Sequence, residues 1–251
     1  DAIGLSVVHP HMLANGWEYA TDISDDPHRF EGTGDPVNGA RYHHQLYTMV
    51  DPHYTGRVTV PLLWDRERRT IVSNESADIV RMFNSAFAGV AGNDEDFYPA
   101  SLRETIEAVN EPIYHHVNNG VYKAGFATTQ PAYEEAFDAL FAQLDRLEAR
   151  LGEQRYLCGE RITEADWRLF TTLIRFDAVY VGHFKCNRQR IADFPNLSGY
   201  LRELYQWPGV RETVDFTHIK HHYYYSHETI NPTRIVPRGP ELDLERPHGR
   251  G

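Results

Sequence analysis

Thiols are scarce in this sequence. Cys158 and Cys186 are the two cysteines among 251 residues. That number excludes a disulfide framework and reads as a reducing, cytoplasmic compartment. No apolar run reaches the ~18 residues of a membrane-spanning helix, so no membrane partner is expected. The opening Asp1–Ser6 lacks the basic stretch that begins a signal peptide. Positive charge is in deficit: 25 Lys and Arg against 36 Asp and Glu leave a formal net charge of -11. A nucleic-acid binder needs a basic stripe to meet phosphates, so no nucleic-acid partner is expected. Lysine occurs only at Lys123, Lys185 and Lys220, which reads as genome base composition rather than selection for guanidinium contacts. No Gly-rich phosphate loop, nucleophile elbow or internal repeat occurs.

What is present is ordinary globular material, 41% hydrophobic and 24% charged, enough for one large domain or two smaller ones. Branched residues over Ile3–Val8 predict a strand. A turn-rich stretch to residue 57 comes next, with a short helix expected within Ala40–Val50. Arg57–Asp65 predicts a strand interrupted by Pro61, and Thr70–Val72 predicts a second, making a hairpin. Ser73-Asn74-Glu75-Ser76 supplies helix-start chemistry ahead of Ile79, Val80, Met82, Phe83 and Phe87 at helical spacing. Beyond residues 92–100 the sequence reads as helices. One stripe runs from Ile106 to Val117 and a second from Tyr133 to Leu151. A third helix begins at Thr163, with Asp166 set to close a capping box. Shorter helices are expected over Leu197–Tyr205 and Asp215–His222, and the proline-rich end reads as an extended tail.

No metal is expected. The pairs His43-His44, His115-His116 and His221-His222 are adjacent, and neighbours on a helix diverge by about 100°. His218 with His222 has the i, i+4 spacing, and His9 with His11 could clip a metal on a strand, but neither pair by itself makes a metal the expected reading.

The chemistry-bearing constellation is Val60-Pro61 followed by Glu75-Ser76. A cis Val60-Pro61 bond would turn the Val60 N–H and C=O outward, ready to pair with a peptide-like ligand as an added strand. The helix start at Glu75-Ser76 offers free N–H groups and a positive dipole end to a carboxylate. Ser76 adds a hydroxyl, and Glu75 suits an ammonium. Together they describe a seat for an amino-acid head group with a peptide arm. The same residues also suit a trans proline at a sheet edge and a plain helix cap, and the residues alone leave both open.

Val-Pro, then Glu-Ser, then the helical region with Ile162-Thr163-Glu164-Ala165-Asp166-Trp167 resembles the glutathione transferase superfamily. More specific strings are Gly56–Asp65, Val72–Ser76, Asn119–Ala127, Phe184–Asn187, His218–Tyr224 and Asn231–Ile235. These resemble the glutathionyl-hydroquinone reductases, or xi class, over about residues 3–240. The resemblance implies an α/β thioredoxin-like N-terminal domain, incomplete here, over residues 1–92. It further implies an all-α glutathione-transferase C-terminal domain over 93–225, then an extended tail over 226–251. It implies reduction of glutathionyl-hydroquinones to hydroquinones through a cysteine mixed disulfide, with glutathione as co-substrate and no metal. The partners it implies are a small aromatic thioether substrate and a second copy in a homodimer. Carried over by position, Trp17, Arg57, Val60, Pro61, Glu75 and Ser76 are glutathione contacts. Tyr122 and one of Tyr223 or Tyr224 line the aromatic pocket, where a phenol offers a flat face and a hydroxyl.

One departure stands out. The family's nucleophile lies in a Cys-Pro-Trp-Ala string at a helix start, where the thiol pKa falls. No such string occurs, and Cys158 and Cys186 precede no proline. Both read as structural thiols, and no catalytic residue is assigned within residues 1–251. The expectation is that the cysteine, with the first strand and helix of the sheet, lies upstream of Asp1. An alternative reading is a non-catalytic thiol-binding or dimeric scaffold protein on the same fold. A third keeps the fold and changes the thiol to γ-glutamylcysteine, since Val60, Glu75 and Ser76 hold the part that both thiols share.

Overall fold

A computed structural model describes residues 3–20, 30, 32–91 and 95–250. The chain divides into two units, Asp1–Asp96 and Phe97–Gly251. The boundary expected after residue 92 lies outside the described residues.

In the first unit the helix expected within Ala40–Val50 forms as α1 (His44–Val50), which buries Leu46 and Tyr47. The hairpin forms as β1 (Leu63–Asp65) and β2 (Thr70–Ser73), antiparallel, with Trp64 opposite Ile71. Its turn is fixed by Asp65, whose Oδ1 accepts the N–H groups of Glu67 and Arg68 at 2.9 Å each. Next come α2 (Ser76–Ser85) and α3 (Ala88–Ala91). Two strand expectations fail. Ile3–Val8 joins no ladder among the described residues. A strand exists only where a neighbour takes its N–H and C=O groups. Here the Val7 N–H goes to Thr33 Oγ1 (2.8 Å), and the His9 N–H to the Glu18 carbonyl (2.7 Å). Residues 57–62 also stay outside the hairpin. Side chains hold their backbone instead: the Tyr47 hydroxyl meets both the N–H and the C=O of Thr59.

The second unit is largely helical as far as Ser226. Its elements are α4 (Arg103–Ile113), α5 (Gly120–Gly125), α6 (Gln130–Glu153), α7 (Glu164–Arg175), α8 (Pro195–Tyr205) and α9 (Phe216–Ser226). The apolar stripes read from the sequence meet in one cluster, where Ile106, Leu140, Leu144, Leu169 and Leu173 are essentially inaccessible. The capping box at α7 is present. Asp166 does more than cap: its carboxylate accepts from the Thr163 N–H (2.7 Å) and hydroxyl (3.0 Å), the Leu157 N–H (2.9 Å) and the Tyr200 hydroxyl (2.7 Å). Asp215 caps α9 through the N–H groups of Thr217 and His218. That helix continues past the expected His222 to Ser226, which carries Tyr223 and Tyr224 on its last turn.

Two short π-turns interrupt the helical run, Tyr114–Asn118 after α4 and Phe176–Tyr180 after α7. Each contains an i→i+5 bond: the Asn119 N–H to the Tyr114 carbonyl (2.9 Å), and the Val181 N–H to the Phe176 carbonyl (3.0 Å). The end of the chain is extended, and it is packed. Leu244 joins the core, Gln206 Nε2 donates to the carbonyls of Leu244 (2.7 Å) and Arg246 (2.8 Å), and Arg250 Nε meets Glu203 Oε2 at 2.9 Å. Gly199 permits this passage, because a Cβ there would stand 2.9 Å from the His248 carbonyl.

Candidate functional site

In the first unit, Tyr47 and His43 on either side of the start of α1 fix the backbone that carries Val60 and Pro61. The His43 imidazole Nε2 lies 2.9 Å from the Thr59 carbonyl, which can only accept, so Nε2 carries the proton. Nδ1 is then the acceptor for the Tyr19 hydroxyl at 2.7 Å. Burial lowers the His43 pKa, so the ring stays neutral and keeps this tautomer. The Tyr47 hydroxyl donates to the Thr59 carbonyl (3.1 Å) and accepts from Asn74 Nδ2 (3.1 Å). Asn74 also approaches Thr59 Oγ1 at 3.5 Å. One phenol thus ties Thr59-Val60-Pro61 to Asn74-Glu75-Ser76, two segments that lie apart in sequence.

The peptide bond Val60-Pro61 is cis. The Val60 side chain is 41% exposed, and its N–H and C=O find no partner among the described residues. Glu75 is the N-cap of α2; one carboxylate oxygen accepts the Ala77 N–H at 3.3 Å and the other is unspent. Ser76 is exposed at the first helical position, and its hydroxyl has no partner among the described residues. The group therefore presents one amide edge, one hydroxyl, one carboxylate oxygen and a helix start. Arg57 is exposed, and its carbonyl receives the Tyr54 hydroxyl at 2.8 Å. Trp17 is half-buried, and its carbonyl takes the His43 N–H at 2.9 Å.

In the second unit, Tyr122 of α5 and Tyr223 of α9 come together, with hydroxyl oxygens 2.5 Å apart. Tyr224 does not join them. One residue further along α9 it turns about 100° away and packs on His183, ring centres 4.6 Å apart. A third phenol, Tyr180 at the end of its π-turn, lies 2.9 Å from the Tyr223 hydroxyl. Phe184 stacks on Tyr180 at 5.4 Å and meets Tyr122 at 5.5 Å. Gly125 makes room for it, since a Cβ there would fall 2.2 Å from the Phe184 ring. Beside this cluster His183 Nε2 and His227 Nδ1 are 3.1 Å apart. Burial pushes both imidazoles down to about 4, so they remain neutral partners.

Sequence reasoning missed Tyr180, His183 and His227, and also Tyr19, His43, Tyr47 and Asn74. Their contacts span 12 to 44 residues of chain and leave no local spacing to read. Burial pushes Cys186 up to about 12 and raises Cys158, against the thiolate a nucleophile needs. No cluster of three or more His, Cys, Asp or Glu suited to a metal occurs among the described residues.

Residues 130–203 match the family model described as glutathione S-transferase, C-terminal domain. The glutathionyl-hydroquinone reductase YqjG of Escherichia coli (strain K12) is 56% identical over 249 residues, 99% of this chain and 74% of that protein. Its glutathione-bound structure matches with a TM-score of 0.92 at 55% identity, covering 98% of this chain and 78% of that one. The xi-class transferase of Natrialba magadii matches with a TM-score of 0.95 at 48% identity, covering 100% and 75%. This chain belongs to the glutathionyl-hydroquinone reductases, the xi class of the glutathione transferases.

Proposed function

We propose that this protein reduces glutathionyl-hydroquinones to hydroquinones with glutathione as the reductant. The observation that carries the reading is the 56% identity, over nearly the whole chain, to a protein named for that reaction. The first unit supports the glutathione half. The free Val60 amide edge suits the backbone of a tripeptide beside Pro61. The start of α2 with Ser76 suits an α-carboxylate, and the unspent Glu75 oxygen suits an α-ammonium. Arg57 and Trp17 belong to this seat in the reading by family resemblance. The second unit supports the aryl half, through the phenols of Tyr122 and Tyr223.

The chemistry in this reading is sulfur transfer. A cysteine thiolate attacks the sulfur bonded to the aromatic ring, and an S–S bond forms as the ring C–S bond breaks. The electron pair stays with the ring, which takes up a proton to become the hydroquinone. A second glutathione thiolate then attacks the mixed disulfide, regenerates the cysteine and releases glutathione disulfide. Burial raises the pKa of Cys158 and Cys186, away from the thiolate that the first step needs, so the reading assigns that step to a cysteine outside residues 1–251. Incubating the full-length protein with 2-(glutathion-S-yl)hydroquinone and glutathione should release hydroquinone and glutathione disulfide one for one. Glutathione binding without release would favour a thiol-binding scaffold. The reading includes a homodimer in a reducing, cytoplasmic setting, checked by light scattering on the purified protein and by cell fractionation.

A further inference from the structure

We propose that the cavity bounded by α7, α8 and the tail is a binding site for a small monocarboxylic acid with an apolar body, its carboxylate held by Arg202 and Arg246. The site lies outside the reaction proposed above, since none of its lining residues belongs to the Val60–Ser76 group or to the phenol cluster.

The cavity measures about 210 Å³. An engineered apolar cavity of ~150 Å³ takes up benzene, so there is room here for a short chain or a single ring. Much of its wall is apolar: Leu173 and Ile174 come from α7, Leu201 from α8, and Leu242 and Leu244 from the tail. The tail side is fastened, because Gln206 Nε2 donates to the carbonyls of Leu244 and Arg246.

Charge is the unusual part. Arg202 lines the cavity half-buried, and it makes no ion pair among the described residues. Its Nη1 donates to the Ser198 hydroxyl (2.6 Å), its Nη2 makes a long bond to the His248 carbonyl (3.5 Å), and its buried Nε has no acceptor. Each Nη nitrogen carries two protons, so N–H groups remain for a ligand. Arg246 also lines the cavity and makes no ion pair among the described residues. Burial, together with the Arg246 charge, lowers the Arg202 pKa, and Asp243 opposes them without overcoming them. Two like charges thus share a partly dry wall without a bonded carboxylate, and a carboxylate arriving there offsets both. The remaining charged groups limit what fits. Arg190 is spent on Asp193 (2.7 Å), and the Asp177 carboxylate on the N–H groups of Ile191 (2.6 Å) and Ala192 (3.1 Å). Glu241 and Asp243 are exposed at the cavity and would repel a second negative charge. One negative charge on an apolar body therefore suits the site, and a phosphate dianion does not.

The test titrates hexanoate into the intact full-length protein at pH 7 by calorimetry, with hexanamide as its neutral counterpart. Hexanoate should bind about tenfold more tightly, because its bonds to guanidinium are charge-assisted. Arg202→Gln should erase that difference by weakening hexanoate alone. Arg246→Gln, at an exposed residue, should weaken hexanoate about threefold. Should Arg202→Gln not fold, Arg246→Gln carries the test. Bound hexanoate should also slow amide hydrogen exchange across residues 240–246, since it ties the tail to α8. Inorganic phosphate at the same concentration should not displace it. The proposal is overturned if the parent protein binds no hexanoate, if the acid and the amide bind equally, if phosphate displaces the acid, or if either folded variant binds it as the parent does. Slowed exchange around Tyr122 and Tyr223 in place of the tail also overturns it, by putting the acid in the aryl pocket.

Discussion

Among the described residues of the first unit, the buried side chains are His9, Pro10, His43, Leu46, Tyr47 and Ile79. The second unit holds a continuous apolar cluster from Ile106 to Leu244. The first unit positions the Thr59-Val60-Pro61 backbone with polar bonds from half-apolar rings, Tyr47 and His43 above all. The second positions its phenols by burying them among aromatic neighbours. The lesson is that a peptide-like ligand needs an open backbone edge, which a dense core would cover. An aryl ligand needs fixed rings, which a dense core supplies.

Substitutions can break that contrast, and the largest effect is expected in the helical unit. Asp166→Ala removes the acceptor for four buried donors and should cost about 3–5 kcal/mol, read by denaturant unfolding. A loss below ~1 kcal/mol would mean that water or repacking replaces the carboxylate. In the first unit Tyr47→Phe should cost about 2 kcal/mol and should weaken glutathione binding more than it weakens the fold. Equal loss in both would deny the phenol its tie between Val60 and Glu75.

Glu203 sharpens the comparison through pH. Burial alone would raise its pKa, but hydrogen bonds from Tyr156, Arg155 and Arg250 outweigh burial and hold it below the ordinary glutamate value. A depressed carboxylate stabilises the fold above its unfolded pKa and loses that contribution as pH falls through its folded pKa. Glu203→Gln should therefore cost about 1–2 kcal/mol at pH 7, with the gap closing under acid; a gap constant from pH 7 to 3 would contradict the sign. Glu75→Ala should raise the glutathione KM about tenfold with little change in melting temperature, since the cap bond it loses is long at 3.3 Å. The smallest effect is expected at Cys186, which at a pKa of about 12 should resist iodoacetamide in the native protein at pH 7.5.

Local periodicity made the helical unit legible. Stripes such as Leu140, Leu144 and Leu147 repeat at helical spacing, and Thr163 with Asp166 announces the start of α7. The Val60-Pro61 and Glu75-Ser76 pairing was only half legible: the residue types left a cis and a trans proline both open, and the family resemblance tipped the reading toward the cis bond that the structure has. Branched residues at Ile3–Val8 misled, because β-propensity does not supply a neighbouring strand. The tail hid its packing because polar bonds, Arg250 to Glu203 and Gln206 to two carbonyls, fasten it rather than an apolar stripe. Choosing between Tyr223 and Tyr224 needed the phase of α9, which the sequence leaves open by a residue.

Tyr180 owes its place to the surplus residue in the turn Phe176–Tyr180. A π-turn is an ordinary helical turn with one residue inserted. Deleting a single position there would restore the 3.6-residue repeat and swing the downstream side chains by about 100°. Relatives that gain or lose one residue in this turn should therefore differ in how they treat aryl ligands, even with every tyrosine retained.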